Sequence, residues 1–103
     1  MRLYFKPGAC SLSSRIVLHE VGATFDADQV DTKKGLTKAG KDYHAINPKG
    51  YVPALEVSDN FVLTENLAIL LFLADTHPDV GLAPSCGTKE RAKLHEWLKR
   101  MNT

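Results

Sequence analysis

The first cysteine of the chain lies where a thiol could be reactive. In "FKPGACSLSSRIVLHE", Cys10 follows a Pro-Gly break and precedes a run with near-helical apolar spacing. Unpaired N–H groups and the positive dipole end at a helix start stabilise a thiolate, and such placement lowers cysteine pKa values from about 8.5 into roughly the 3.5–7.5 range. A free cysteine is more commonly a small buried hydrophobe. Position alone leaves these two interpretations evenly balanced.

The residue three positions after this cysteine restricts its chemistry. Ser13 stands where a second cysteine would complete a C-x-x-C pair, so the pattern is C-x-x-S. No internal disulfide can form at such a site, and a reactive thiol there would exchange with a small external thiol instead.

A proline follows the "NPKGY" turn at the start of an apolar segment. Proline cannot donate a ladder hydrogen bond, so Pro53 marks a sheet edge, a bend or a cis bond. A cis bond would turn the backbone N–H and C=O of Val52 outward, where they could pair with a peptide-like ligand. An ordinary trans proline is the alternative favoured by base rates, since only about 5–6% of X-Pro bonds are cis.

The segment Thr64-Glu65-Asn66 combines the end of a predicted hairpin with the start of a predicted helix. Its backbone N–H groups, the Asn66 amide and the Glu65 carboxylate could hold the carboxylate and the ammonium of an amino-acid group. The commoner alternative is plain helix capping by Thr64 or Asn66.

Composition excludes several classes of function. The 103 residues are 44% hydrophobic and 24% charged, as expected for one globular domain. The net charge is +1 and no basic run exceeds two residues, which argues against a nucleic-acid partner. No apolar run is long enough to span a membrane, and no signal peptide is visible. Two cysteines and four scattered histidines indicate a reduced cytoplasmic protein without a metal site.

The order of predicted elements indicates the fold. β-prone residues 2–6 precede a helix from Ser11 that Gly22 closes in the left-handed conformation. The later elements are a strand over 24–31, a loop with one irregular helix over 33–46, and hairpin strands over 52–57 and 61–63. A buried helix follows from Thr64 and stops before Pro78, and Thr88 opens a last helix. The sequence therefore predicts an α/β, thioredoxin-like βαβ-α-ββα sandwich with a four-stranded mixed sheet, plus one extra C-terminal helix.

Three segments in this order resemble a known family. "YFKPGACSLSSRIVLHEVG", "INPKGYVPALEV" and "LTENLAILLFLAD" together are similar to the N-terminal domain of bacterial glutathione S-transferases, most of all those of the beta class. The similarity runs from Met1 to about Trp97-Leu98.

The resemblance implies a site for glutathione as co-substrate. By it Cys10 faces the glutathione sulfur, Val52 pairs with the cysteinyl backbone, Pro53 is cis, and Glu65 with Asn66 holds the γ-glutamyl end. A lysine near position 35 commonly meets the glycyl carboxylate in the family, and here Gly35 follows Lys33 and Lys34. The residues so assigned to glutathione are Cys10, Lys34, Tyr51, Val52, Pro53, Glu65 and Asn66, with Cys10 also the catalytic candidate.

The resemblance also implies that the chain contains parts of two different domains. Residues 1–80 are expected to form the thioredoxin-like glutathione-binding domain, and 81–103 the linker and first helix of an all-helical domain that relatives continue. We expect this chain to be truncated and to lack a complete pocket for the electrophile. The last helix carries an apolar stripe of Leu94, Trp97, Leu98 and Met101, which predicts a homodimer or other self-association.

Three functions are compatible with these features. The first is glutathione binding and, in complete relatives, conjugation of the glutathione thiolate to electrophiles. The second is a monothiol glutaredoxin-like thiol-disulfide oxidoreductase that uses Cys10. The third is a truncated, non-catalytic module that binds another protein through its last helix.

Overall fold

The structure is a computed structural model that describes residues 1–7 and 11–101. Five strands form one sheet: β1 (Arg2–Phe5), β2 (Asp26–Asp31), β3 (Leu36–Thr37), β4 (Ala54–Ser58) and β5 (Phe61–Thr64). The helices are α1 (Ser11–Glu20), α2 (Asn66–Thr76) and α3 (Lys89–Met101), with 3-10 turns at Tyr43–Ala45 and Pro78–Val80. No described helix is long and apolar enough to cross a bilayer.

The sheet has the mixed topology that the element order predicts. Its strand order is β3-β2-β1-β4-β5, with β1 and β2 parallel and the other neighbours antiparallel. The α/β, thioredoxin-like prediction is therefore confirmed, while the predicted number of four strands is wrong. The fifth strand is β3, which lies in the segment expected to be a loop. There the chain turns back at Asp31, whose carboxylate accepts hydrogen bonds from the backbone N–H groups of Lys33 and Lys34.

One side of the sheet carries the main core. Leu3 and Leu55 from the sheet pack with Leu18 of α1 and with Ile69 and Leu73 of α2, and all five are fully buried. α2 is apolar almost all round, as the sequence predicts for a buried helix. This packing fixes the N-termini of α1 and α2 over the same side of the sheet.

The ends of the helices test the predicted boundaries. α1 ends as expected: Gly22 has a φ of 71°, and the N–H groups of Gly22 and Ala23 donate to the carbonyls of His19 and Leu18. α2 begins later than predicted, at Asn66, because Thr64 is still paired with Ala54 in the hairpin. The alternative in which Thr64 or Asn66 caps α2 is therefore wrong, since Glu65 occupies the cap position without a side-chain cap hydrogen bond.

α3 is attached to the rest of the chain through one buried cation. Arg91 is 6% exposed, and its guanidinium donates to both carboxylate oxygens of Asp75 on α2 at 2.8 Å. It also donates to the Pro84 carbonyl at 2.9 Å and to His95 Nε2 at 2.8 Å. At the start of the helix, the Thr88 hydroxyl accepts from the Arg91 N–H, which confirms Thr88 as the opening residue.

Candidate functional site

A cleft of about 590 Å³ lies where the β4–β5 hairpin meets the start of α2. Its described lining combines polar groups with an apolar wall from α2 and the turn before β4. The lining residues are Asn47, Tyr51, Val52, Pro53, Glu65, Asn66, Leu67, Ala68, Leu71 and Lys99. The main cleft, as we call it, thus brings together five of the seven residues that the sequence assigns to glutathione.

The Val52–Pro53 peptide bond is cis. This confirms the expectation drawn from the family resemblance against the base rate for proline. Val52 precedes the first paired residue of β4, Ala54, so it lies outside the pairing registers with β1 and β5. Its backbone therefore lies at the edge of the cleft and outside the paired part of the sheet.

Two buried residues hold the chain just before this bond. The Tyr43 hydroxyl and the Asn47 amide both donate to the Tyr51 carbonyl, at 2.6 and 2.8 Å. Asn47 also accepts the Lys49 N–H, which closes the turn before Tyr51. Burial raises the pKa of Tyr43 to about 12, so its hydroxyl remains a donor over the physiological pH range.

The two hydrogen bonds to the Tyr51 carbonyl were not predicted from the sequence. The "NPKG" pattern indicates a turn but does not show that the asparagine side chain reaches across it. Nor does it show that Tyr43, eight residues before Tyr51, donates to the same carbonyl.

Glu65 has an unusual backbone conformation at the mouth of the cleft. Its φ is 71° and ψ is 120°, and among the described non-glycine residues it alone has a positive φ. The side chain is largely exposed, and Oε2 lies 3.3 Å from Lys49 Nζ. The geometry presents a carboxylate to solvent directly beside the helix N-terminus, where a ligand ammonium could reach it.

Asn66 has different contacts from those that the sequence suggests. Its Nδ2 donates to Ser13 Oγ at 2.9 Å, and its Oδ1 accepts from the fully buried Ser14 hydroxyl. The amide thereby joins the first residue of α2 to α1. Ser13, the last residue of the C-x-x-S pattern, is a contact of this amide.

Two predicted residues are not placed in the cleft. Lys34 lines a different and larger cavity of about 810 Å³ beside β2 and β3. Size does not make that cavity the better site, because it contains neither Val52 nor Glu65. Cys10 lies outside the residues that the structure describes.

Lys99 brings a cation from α3 into the lining of the main cleft. No feature of the sequence assigns this residue to the site. No three His, Cys, Asp or Glu side chains within residues 1–7 and 11–101 converge as metal ligands.

The chain is a thioredoxin-like domain with a peptide-sized cleft at a cis-proline, and comparison with known proteins gives its family. The model of the glutathione S-transferase N-terminal domain matches residues 8–76. The chain belongs to the glutathione S-transferase family.

Curated relatives can be aligned with this chain over nearly its whole length. Glutathione S-transferase GstA of Escherichia coli O157:H7 is 47% identical over 103 residues, covering 100% of this chain and 51% of the relative. Glutathione S-transferase GST-4.5 of Xanthomonas campestris is 42% identical over 102 residues, covering 99% and 48%. The chain thus spans about half the length of the curated relatives it matches.

Solved glutathione S-transferase structures also match this chain over its whole length. A bacterial beta-class glutathione S-transferase of Sphingomonas chungbukensis superposes with a TM-score of 0.96 at 47% identity, covering 100% of this chain and 51% of that one. A sphingomonad glutathione S-transferase complexed with glutathione gives 0.94 at 46% identity, covering 100% and 51%. The beta-class resemblance seen in the sequence is supported by these matches.

Proposed function

We propose that this chain binds glutathione in the main cleft and supplies the glutathione-binding half of a glutathione S-transferase. The observation that carries the proposal is the meeting of Val52, cis-Pro53, Glu65 and the start of α2 around one cleft. The relative complexed with glutathione supports the choice of ligand.

Each part of the tripeptide has a proposed partner. The Val52 backbone pairs with the cysteinyl unit, and the Glu65 carboxylate holds the γ-glutamyl ammonium. The γ-glutamyl carboxylate meets the N-terminus of α2, where backbone N–H groups and the helix dipole favour an anion. Asn66 acts by positioning that N-terminus, because its amide is joined to α1. Tyr51 lines the same cleft, and for the glycyl carboxylate the sequence predicts Lys34.

The proposed chemistry is conjugation. A bound glutathione thiol loses its proton, and its thiolate attacks an electrophilic carbon, which expels a leaving group such as chloride. Cys10 is the proposed residue facing that sulfur. We place this activity in a soluble cytoplasmic protein that acts as a dimer, with the electrophile's pocket contributed largely from outside residues 1–80.

Calorimetric titration of the chain with glutathione tests binding. We expect saturable binding at or below about 1 mM, the weak end of useful affinity. Glu65→Gln should weaken it, because the γ-glutamyl ammonium loses its partner, while Asp59→Asn in the distant β4–β5 turn should not. Absence of binding at several millimolar would contradict the proposal.

Cys10 is tested separately by intact mass after incubation with glutathione disulfide. A thiolate at Cys10 attacks one sulfur of the disulfide, forms a mixed disulfide and releases one glutathione thiolate. We expect one glutathione adduct in the wild type and its loss in Cys10→Ser. The exposed Cys86 serves as the internal control, since Cys86→Ser should retain the adduct.

Two assays separate transferase from redox chemistry. Conjugation of a chloro-nitroaromatic compound reports the proposed activity, and reduction of a glutathionylated peptide reports the glutaredoxin-like alternative. Deglutathionylation that depends on Cys10, with no conjugation, would favour the alternative.

A further inference from the structure

The peptide unit that joins Tyr51 to Val52 is fixed from the interior of the domain. Its carbonyl accepts two hydrogen bonds, from the Tyr43 hydroxyl at 2.6 Å and from the Asn47 amide at 2.8 Å. In a planar trans peptide unit the carbonyl and the following N–H point in opposite directions. The two donors that hold the Tyr51 carbonyl toward the interior therefore direct the Val52 N–H away from it.

The fold leaves this N–H available to a ligand. Val52 lies outside the pairing registers of β4, and within the described part of the chain no group accepts a hydrogen bond from its N–H. Pro53 has no N–H, so Val52 carries the last backbone donor before β4. Val52 is half-buried and lines the main cleft. Since backbone donors removed from water are nearly always paired, this one is suited to a ligand carbonyl.

The two interior donors belong to the core. Tyr43 is fully buried, and Asn47 is 3% exposed. The Tyr43 ring packs in one core cluster with Tyr4, Val30 and Ala54. Because burial raises the pKa of Tyr43 to about 12, its hydroxyl donates throughout the physiological pH range. The Tyr51 carbonyl is thus oriented by well-packed groups before any ligand binds.

The same two hydrogen bonds strengthen the Val52 N–H as a donor. Hydrogen bonds that share one peptide unit polarise each other, so a carbonyl that accepts two bonds makes its own amide hydrogen more positive. A donor that is already oriented also loses less conformational freedom when a ligand binds. Both effects increase the affinity of the cleft for a carbonyl placed opposite Val52.

We propose that Tyr43 and Asn47 are positioning residues that orient the Val52 N–H toward the cysteinyl carbonyl of the bound tripeptide. Tyr43 is outside the described lining of the cleft, and it acts through the Tyr51–Val52 peptide unit. The inference rests on the proposed function, in which the Val52 backbone pairs with the cysteinyl unit of glutathione. It adds the interior side chains on which that pairing depends.

Tyr43→Phe tests this role, because it removes the hydroxyl and retains the ring. Calorimetric titration should show glutathione binding about fivefold weaker than in the wild type, the loss expected for one hydrogen bond. Tyr4→Phe is the matched control. Tyr4 is 2% exposed and its ring centroid lies 5.7 Å from that of Tyr43, but its hydroxyl is directed to Glu56. Glutathione binding should therefore be unchanged in Tyr4→Phe, and urea unfolding shows whether both variants are folded.

Hydrogen exchange of the Val52 amide measures the proposed contact directly. Saturation of the wild type with glutathione should slow this exchange by about tenfold, because the N–H gains an acceptor. In Tyr43→Phe, also at saturation, the slowing at Val52 should be smaller, while exchange of the Leu55 amide within β4 should match the wild type. A merely structural role for Tyr43 would speed exchange at both positions.

The outcomes separate this inference from the proposed function. Glutathione binding that is unchanged in Tyr43→Phe, or weakened equally in Tyr4→Phe, overturns the positioning role and leaves glutathione binding intact. Glutathione that binds the wild type without slowing exchange at Val52 has the same consequence. Failure of the wild type to bind glutathione overturns both proposals.

Discussion

Glu65 combines an unfavourable backbone conformation with a role in the proposed glutathione site. An L-residue with a φ of 71° and a ψ of 120° lies outside the well-populated regions of backbone conformation, and such a conformation costs on the order of 1–3 kcal/mol. Among the described residues, the side chain makes only an exposed ion pair, with Lys49, in return. The conformation places a carboxylate at the mouth of the cleft, which is the role that the proposed function gives it.

Replacing Glu65 by glycine should therefore change protein stability and glutathione binding in opposite directions. We expect Glu65→Gly to raise the free energy of unfolding by about 1 kcal/mol, since glycine adopts a positive φ without steric cost and loses only part of that gain to its greater unfolded-state entropy. Glutathione binding should weaken as in Glu65→Gln, because both variants lack the carboxylate. Urea unfolding and calorimetry measure the two effects.

Glu65→Gln is the matched control, because it removes the charge and retains the backbone conformation. Its free energy of unfolding should stay within about 1 kcal/mol of the wild type. A glycine variant less stable than the glutamine variant would show that the backbone at Glu65 is not strained.

At the scale of elements, the contact between α2 and α3 depends on a buried charge. The hydrogen bonds from Arg91 hold the pKa of Asp75 below its ordinary value of 3.8. Because folding lowers this pKa, the carboxylate stabilises the folded state above about pH 4. That contribution is lost as pH falls through the folded-state value.

Asp75→Asn should thus be less stable than the wild type at pH 7, and the difference should narrow as the pH is lowered toward about 3. The cost at neutral pH arises because Arg91 stays buried with a weaker partner. Urea unfolding at both pH values measures the difference. The exposed Asp79, which has no ion pair within the described residues, provides the control Asp79→Asn. A pH-independent gap between wild type and Asp75→Asn would contradict the expectation.

At the scale of the whole molecule, α3 presents apolar surface that the described part of the chain leaves partly exposed. Trp97 is 57% exposed, and Leu94 and Leu98 are only partly buried. A single exposed side chain needs no explanation, but here three lie on one helical face. This supports the predicted self-association through α3, which stays a prediction.

Sedimentation velocity tests that prediction. At tens of micromolar (about the range of weak interfaces) we expect the wild type to sediment faster than a monomer. Trp97→Ala should shift it toward the monomer, because the largest apolar side chain of the face is lost. Glu96→Ala, an exposed neighbour on the same helix, should leave the association unchanged. A clean wild-type monomer would contradict self-association through this helix.

Most of the fold could be predicted because its determinants are local. The βαβ start, the hairpin, the buried helix and the left-handed Gly22 follow from apolar spacing and turn residues within short windows. β3 could not be predicted, because a two-residue strand has no periodicity of its own. It forms where the Asp31 turn places Leu36 and Thr37 beside β2.

The sequence by itself determined the class of protein and which segments are the candidates for its proposed chemistry. The cysteine, proline and Glu65-Asn66 segments are contiguous residues in a recognisable order, so they can be read without coordinates. Only the tertiary structure decided which side chains meet. Tyr43 and Asn47 converge on one carbonyl, Asn66 reaches across to α1, and Lys34 lies in another cavity, while Lys49 pairs with Glu65 sixteen residues away. The physical reason is that side-chain partners are fixed by packing between elements, and hydrophobic periodicity specifies the faces that pack but not the polar contacts made at their edges.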